Sequence, residues 1–130
     1  MSAHSYDYDS SYDPPAPFLP VAIDGYDPEK PPIIVPAFAD SGADGTMLPQ
    51  DILQAVGAEY EDTVQLRGIA GGIQRLDRYT VGIHIESETV HAVSAVATAA
   101  GSEALIGRDV LNHLVVTMNG PAGVIEVQVE

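Results

Sequence analysis

The sequence predicts a mainly β domain, packed as a small barrel or sandwich, with one or two short helices. Three observations lead there. Apolar residues make up 45% of the chain and are mostly Val, Ile, Ala and Leu, with two Phe and no Trp, a supply that suits strands. Short apolar or alternating runs recur between turns rich in Gly, Pro, Asn and Asp. A length of 130 residues fits one domain with a single core.

Taken in order, residues 1–14, MSAHSYDYDSSYDP, are Tyr, Ser and Asp without an apolar period, and are expected as a disordered or loosely docked arm ahead of a domain at 15–130. PFLPVAID (17–24) is a first short strand and GYDPEKPP (25–32) a turn-rich loop. IIVPAFAD (33–40) is the second strand; Pro36 cannot donate to a ladder, so it belongs at an edge or bulge. In MLPQDILQAVGA, Pro49 suits the first turn of a helix and Gly57 its end. Residues 61–86 alternate as a long hairpin bent at Gly68, Gly71 and Gly72, and 89–100 alternate again. ALIGRDVLNHL (104–114) is an apolar strand end, a glycine and a short helix, and 115–130 give two strands around Asn-Gly-Pro-Ala-Gly. The expected total is about eight strands and two helices.

Composition narrows the function. Five basic against nineteen acidic residues give a net charge of −14, which repels phosphate backbones and anionic lipid and argues against nucleic-acid binding. No run approaches the roughly 20 apolar residues of a membrane span, and the first ten residues lack the basic and apolar regions of a secretory signal. The expected location is the cytoplasm. With no cysteine, disulfides and thiolate metal sites are excluded. His84, His91 and His113 lack metal-ligand spacing and read as exposed or hydrogen-bonded structural residues, so neither metal nor cofactor is expected.

The second strand ends on Asp40-Ser41-Gly42, with Asp44 four residues after Asp40. Asp40 can be an Asx-turn or capping residue. It can also be a functional acid, since the mouth of an apolar strand is where desolvation raises carboxyl pKa values. One carboxylate cannot act as general base and general acid in the same step, whereas two in contact share one proton. The chain has a single Asp-Ser-Gly, so the second carboxylate would have to come from a second copy on a two-fold axis.

The segment DSGADGTML (40–48) resembles the active-site loop of the retroviral-type aspartic proteases, LIGRDVLN (105–112) resembles that family's Gly-Arg-Asp/Asn signature, and LRGIAGGI (66–73) is similar to its glycine-rich flap. Each alone recurs by chance; the three in this order, from about residue 16 to about 120, are similar to small single-domain prokaryotic members. The resemblance implies a closed acid-protease barrel acting as a homodimer on peptide or protein substrates. It makes Asp40 the catalytic aspartate, paired with its copy, puts Ser41 in a cross-dimer hydroxyl network and offers the Gly42 carbonyl to substrate. Asp44 would bind peptide backbone and be held by Arg108, with Gly107 letting the helix pack beneath the loop. Ala43, Met47, Ile69 and Leu105 match apolar pocket positions, with Gly68, Ile69 and Ala70 in the flap. The implied reaction is peptide hydrolysis by a water held between the two aspartates, without a covalent intermediate. The rival is a non-catalytic dimeric module that binds extended peptide in the same groove. Gly45 and Glu103 depart from common family residues, so subsite preference does not transfer. The viral enzymes interleave their terminal strands, but this chain runs on into a further hairpin strand, so a dimer sheet made from C-terminal hairpins is expected instead.

Overall fold

Alternate Val, Ile, Leu and Ala positions give most strands one face to bury. The computed structural model describes residues 2–67 and 70–129. Along the chain these form β1 (Ser2–Asp7), β2 (Phe18–Asp24), β3 (Ile33–Ala39), β4 (Met47–Pro49), α1 (Gln50–Ala55), β5 (Glu59–Arg67) and β6 (Ile73–Ile85). They continue with β7 (Glu88–Thr98), β8 (Ala104–Ile106), α2 (Arg108–Leu111), β9 (Val115–Asn119) and β10 (Val124–Val129).

One sheet runs β2-β3-β8-β4-β7-β6-β5, and a further pairing of β2 with β6 closes it into a barrel. The β2–β6 contact is short, Ala22↔His84 to Asp24↔Gly82, and β5 hangs outside the ring on β6 alone. The inward faces contribute Leu19, Val21, Ile23, Leu48, Ile83, Ile85 and Ile106, all at most 1% exposed. Leu53 of α1 and Val110 of α2 plug the same core. Full burial of each such side chain stabilises by about 1.5–3 kcal/mol, so this interior is the main source of stability.

Pro36 stands opposite Pro20 in the β2–β3 ladder, and on its other side β8 begins pairing only at Ala37. The missing N–H therefore falls at an edge, as its sequence position predicts. Gly57 ends α1 in a left-handed conformation (φ 67°), and the 61–86 alternation is the β5–β6 hairpin with Gly71 (φ 81°) at its tip. Gly68 and Ile69, expected in the flap, lie outside the described residues; Ala70 is exposed at the tip.

The first residues depart from the expectation of a disordered or loosely docked arm. β1 pairs antiparallel with β10 from Ser2↔Val129 to Asp7↔Val124, in a separate sheet ordered β1-β10-β9. Its side chains are polar, so no apolar alternation marks it; backbone pairing forms the strand, and Tyr6 and Tyr8 rest against the core. Beyond it, Asp9 bridges Ala16, and Tyr12 stacks on Phe18 with ring centroids 5.3 Å apart. With β1 and the three-residue β4, the described residues hold ten strands rather than eight.

Gly25, just after β2, passes so close to the end of α1 that a Cβ there would lie 2.1 Å from the Val56 carbonyl oxygen. Backbone cannot yield as a side-chain tip can. Gly25→Ala is expected to destabilise the fold by about 3 kcal/mol, read as a lowered midpoint in urea unfolding with an unchanged slope.

Candidate active site

β3 carries Ala37 and Ala39 into the core, which turns Phe38 and then Asp40 to the opposite face. The Asp40 N–H donates to the Ile106 carbonyl at 3.0 Å, so the loop starts as a continuation of the parallel β3–β8 pairing. The chain then reverses. Gly42 N–H donates to Asp40 Oδ1 at 2.9 Å, and Ala43 N–H donates to the Asp40 carbonyl at 3.2 Å. Asp40 is thus an Asx-turn residue as well as the end of an apolar strand. That turn orients the half-buried carboxylate, while Ser41 next to it is exposed.

The 40–46 loop sits on the start of α2. A Cβ on Gly107 would come 2.7 Å from the Gly45 carbonyl oxygen and 2.8 Å from that of Ala43. Only a bare Cα lets the two backbones meet there. Arg108 N–H donates to the Ala43 carbonyl at 2.9 Å. Its guanidinium donates to the Ser41 carbonyl at 2.8 Å and pairs with the Asp44 carboxylate. The expected Arg108–Asp44 pair therefore forms, but at the surface: the Asp44 side chain is 94% exposed and that of Arg108 43%.

The buried tie lies one residue on. Asp109 accepts from Thr46 N–H at 3.0 Å and from the Thr46 hydroxyl at 2.9 Å. Thr46 is fully buried, and its carbonyl accepts from Val96 N–H at 3.0 Å, joining the loop to β7. Sequence reasoning named neither Thr46 nor Asp109 as a site residue, although both stand inside the two quoted motifs.

Strand register then assembles a row of side chains that no single motif spells out. Phe18 faces Phe38, Phe38 faces Leu105, and Leu105 faces Met47. Met47 in turn faces Val96, Val96 faces Arg78, and Arg78 faces Asp62. Directly paired residues project to the same side of a sheet, so these seven half-buried side chains form one row across seven strands. Asp40 lies two residues beyond Phe38 on that face, about 7 Å along the strand. Tyr12 extends the row past Phe18 and donates its hydroxyl to Glu103, a bond that raises the phenol pKa. At the other end Arg78 grips Asp62 through two hydrogen bonds of 2.7 and 2.6 Å, which hold the Asp62 carboxyl below its ordinary pKa.

Ala43, Asp44, Gly45, Met47, Val64, Leu66, Arg78 and Val96 line a largely apolar, half-open cavity of about 440 Å³ between the loop and the β5–β6 hairpin. Of the expected substrate contacts, Ala43, Asp44 and Met47 line it, and Leu105 lies in the row beside it. Leu66 stands at the start of the quoted flap segment, Val64 was legible only as an alternating strand residue, and Arg78 gave no signal. Among the described residues no group of three or more His, Asp or Glu side chains could hold a metal ion. His84 bonds Thr89 at 2.9 Å and His91 lies 3.2 Å from the Tyr26 hydroxyl.

Residues 32–113 match the family model described as gag-polyprotein putative aspartyl protease. The chain belongs to the retropepsin-like aspartic protease family. Its fold is similar to the crystal structure of a retropepsin-like aspartic protease from Rickettsia conorii, with a TM-score of 0.61, 12% identity, and coverage of 97% of this chain and 91% of that one. It is also similar to EIAV protease complexed with the inhibitor HBY-793, with a TM-score of 0.58, 18% identity, and coverage of 75% and 86%. A search of curated protein sequences gives no match. At these identities the structural likeness concerns the retropepsin-like fold. No helix among the described residues is long and apolar enough to cross a membrane.

The two acidic partners of the loop should behave differently. Asp109→Ala leaves the buried Thr46 N–H and hydroxyl without their acceptor, and is expected to cost about 1–3 kcal/mol. Asp44→Ala removes an exposed partner and should leave the urea midpoint within error of the parent. Equal effects would mean that the buried tie holds the loop no more firmly than the surface pair does.

Proposed function

We propose that this protein is an aspartic endopeptidase whose active site is completed by a second copy of the chain. The observation that carries the reading is the single carboxylate at the end of β3, oriented by its own turn beside an exposed Ser41. Hydrolysis of an amide by activated water needs a base and an acid together, and the chain brings one Asp-Ser-Gly. Two copies related by a two-fold axis bring Asp40 and its mate together, where like charges a few ångströms apart share one proton.

In that arrangement water is held between the carboxylates. The ionised Asp40 takes a proton from the water as its oxygen attacks the scissile carbonyl carbon. The protonated Asp40 donates to the oxyanion that forms. The tetrahedral intermediate collapses with cleavage of the C–N bond as a proton reaches the leaving nitrogen. Each carboxylate returns to its starting state, and no covalent enzyme intermediate forms. Ser41 joins the two loops across the axis, and Asp44 meets substrate backbone. The β5–β6 hairpin, with Leu66 facing the cavity, closes over the peptide and excludes bulk water.

The row from Phe18 to Val96 favours an extended peptide with large apolar side chains near the scissile bond. Its flanks carry Glu103 with Tyr12 on one side and Arg78 with Asp62 on the other, so charged side chains are accepted further out.

Asp40→Asn keeps the shape of the turn and removes both the base and the shared proton. The variant is expected to fold and to lose at least about 1,000-fold in cleavage of a diverse peptide pool. Parent activity should be blocked by a hydroxyethylene or statine-type mimic of the tetrahedral state. Undiminished cleavage by the variant would remove Asp40 from the mechanism.

A further inference from the structure

Resting on the peptidase reading above, we infer that Arg78 is a specificity-determining residue: the unused edge of its guanidinium makes the cavity beside the active-site loop a pocket for a glutamine side chain of the substrate. Arg78 stands between Asp62 and Val96 in the lateral register, and Val96 faces Met47. Paired residues share one side of the sheet, so all four lie on the face that carries Asp40. The cavity walls are apolar, from Ala43, Met47, Val64, Leu66 and Val96. Among the described residues Arg78 is the one basic side chain that lines it.

The guanidinium is held along one edge only. Nε and Nη2 donate to the two Asp62 oxygens at 2.7 and 2.6 Å, the side-on meeting of a planar fork with a carboxylate. Nη2 also lies 3.6 Å from Glu61. Glu61 is fixed in turn by the Thr80 and Ser94 hydroxyls, each donating at 2.9 Å. No described residue accepts from Nη1. Because the fork is planar, Nη1 points away from Asp62, toward Val96 and the cavity. Solvent reaches this edge, since the Arg78 side chain is 33% exposed. An occupant that displaces that solvent must replace its hydrogen bonds or leave a charged donor without an acceptor.

These demands define the occupant. Its stem must be apolar to pass Met47 and Val96, and its tip must accept hydrogen bonds from Arg78. Leucine supplies the stem without an acceptor, and methionine supplies only a weak one. Glutamate brings a charge with nothing left to match it: Asp62 and Glu61 already outnumber the one guanidinium, and Arg108 is taken by Asp44. Lysine meets a like charge. Glutamine has two methylene groups for the walls and a neutral carbonyl for Nη1, with its amide protons toward the open side. In the sheet order β6 is four strands from β3, so the pocket reads a residue flanking the scissile bond and not one at it.

Cut sites in the diverse peptide pool report the pocket. For the parent, glutamine is expected to be enriched at least about 10-fold over leucine and over glutamate at one fixed position within about three residues of the cut. Arg78→Lys keeps a positive charge beside Asp62 and Glu61 but lacks the second edge of the fork. Arg78→Met removes every donor. Both variants should lose the glutamine preference, with cuts shifting to leucine and methionine at that position. A purely structural role would lower the amount of folded protein and leave the preference where it is. No glutamine preference in the parent, or one that survives in either variant, overturns the inference. Cuts that vanish in Asp40→Asn would then leave the peptidase reading intact. If neither variant folds, the parent's ratios decide alone. If the parent cuts nothing, the peptidase reading fails, and the pool is passed over immobilised parent and Arg78→Met instead. Glutamine-bearing peptides held by the parent and not by the variant would uphold the pocket; unselective retention, or none, would overturn it.

Discussion

The close approach of two backbones at Gly107 is the contact on which the candidate site depends. The 40–46 loop has no regular pairing of its own and takes its shape from the surface beneath it. That surface is the start of α2, admitted because residue 107 has no side chain to hold the Gly45 and Ala43 carbonyls away. Once the backbones meet, further bonds become possible: Arg108 to Ala43 and Ser41, and Asp109 to the buried Thr46. The net strength of each is modest. Together they fix a loop whose one carboxylate must be placed accurately against another molecule. The Arg108–Asp44 ion pair, the most visible element of the motif, is the most solvent-screened of these contacts.

The barrel makes the rest of the site as a by-product of closing. Bringing β8 between β3 and β4 sets Leu105 against both Phe38 and Met47, and from there lateral register runs through Val96 to Arg78 and Asp62. Residues from seven strands, remote in sequence, become one row beside Asp40, apolar from Phe18 to Val96 and charged at Arg78 and Asp62. The inward residues of the six ring strands, all of these but β5, form the core. One alternation therefore supplies both stability and a binding surface.

Much of this was legible in the sequence, for identifiable reasons. Apolar runs and alternation located the barrel strands other than the three-residue β4, and Pro36, Gly57 and Gly71 marked an edge, a helix end and a hairpin tip through backbone rules that hold locally. The Asp-Ser-Gly and Gly-Arg-Asp segments gave the loop and its support. What was missed depends on long-range register. β1 is polar, and only its partner β10 makes it a strand. Phe18, Arg78 and Val96 gain a role only when strands distant in sequence line up. Tyr12, in a segment read as a tail, reaches Glu103 because the chain folds back at Asp9 and Ala16.

The central claim is that one active site needs an Asp40 from each of two chains, and subunit mixing tests it most directly. Parent and Asp40→Asn chains would be unfolded together, refolded in varied ratios at constant total concentration, and assayed for peptide cleavage. If both carboxylates of a pair are required, only parent–parent dimers turn over, and activity falls as the square of the parent fraction, to about one quarter at an equal mixture. Activity falling in direct proportion, to about one half, would mean that each chain carries a complete site and would contradict the account.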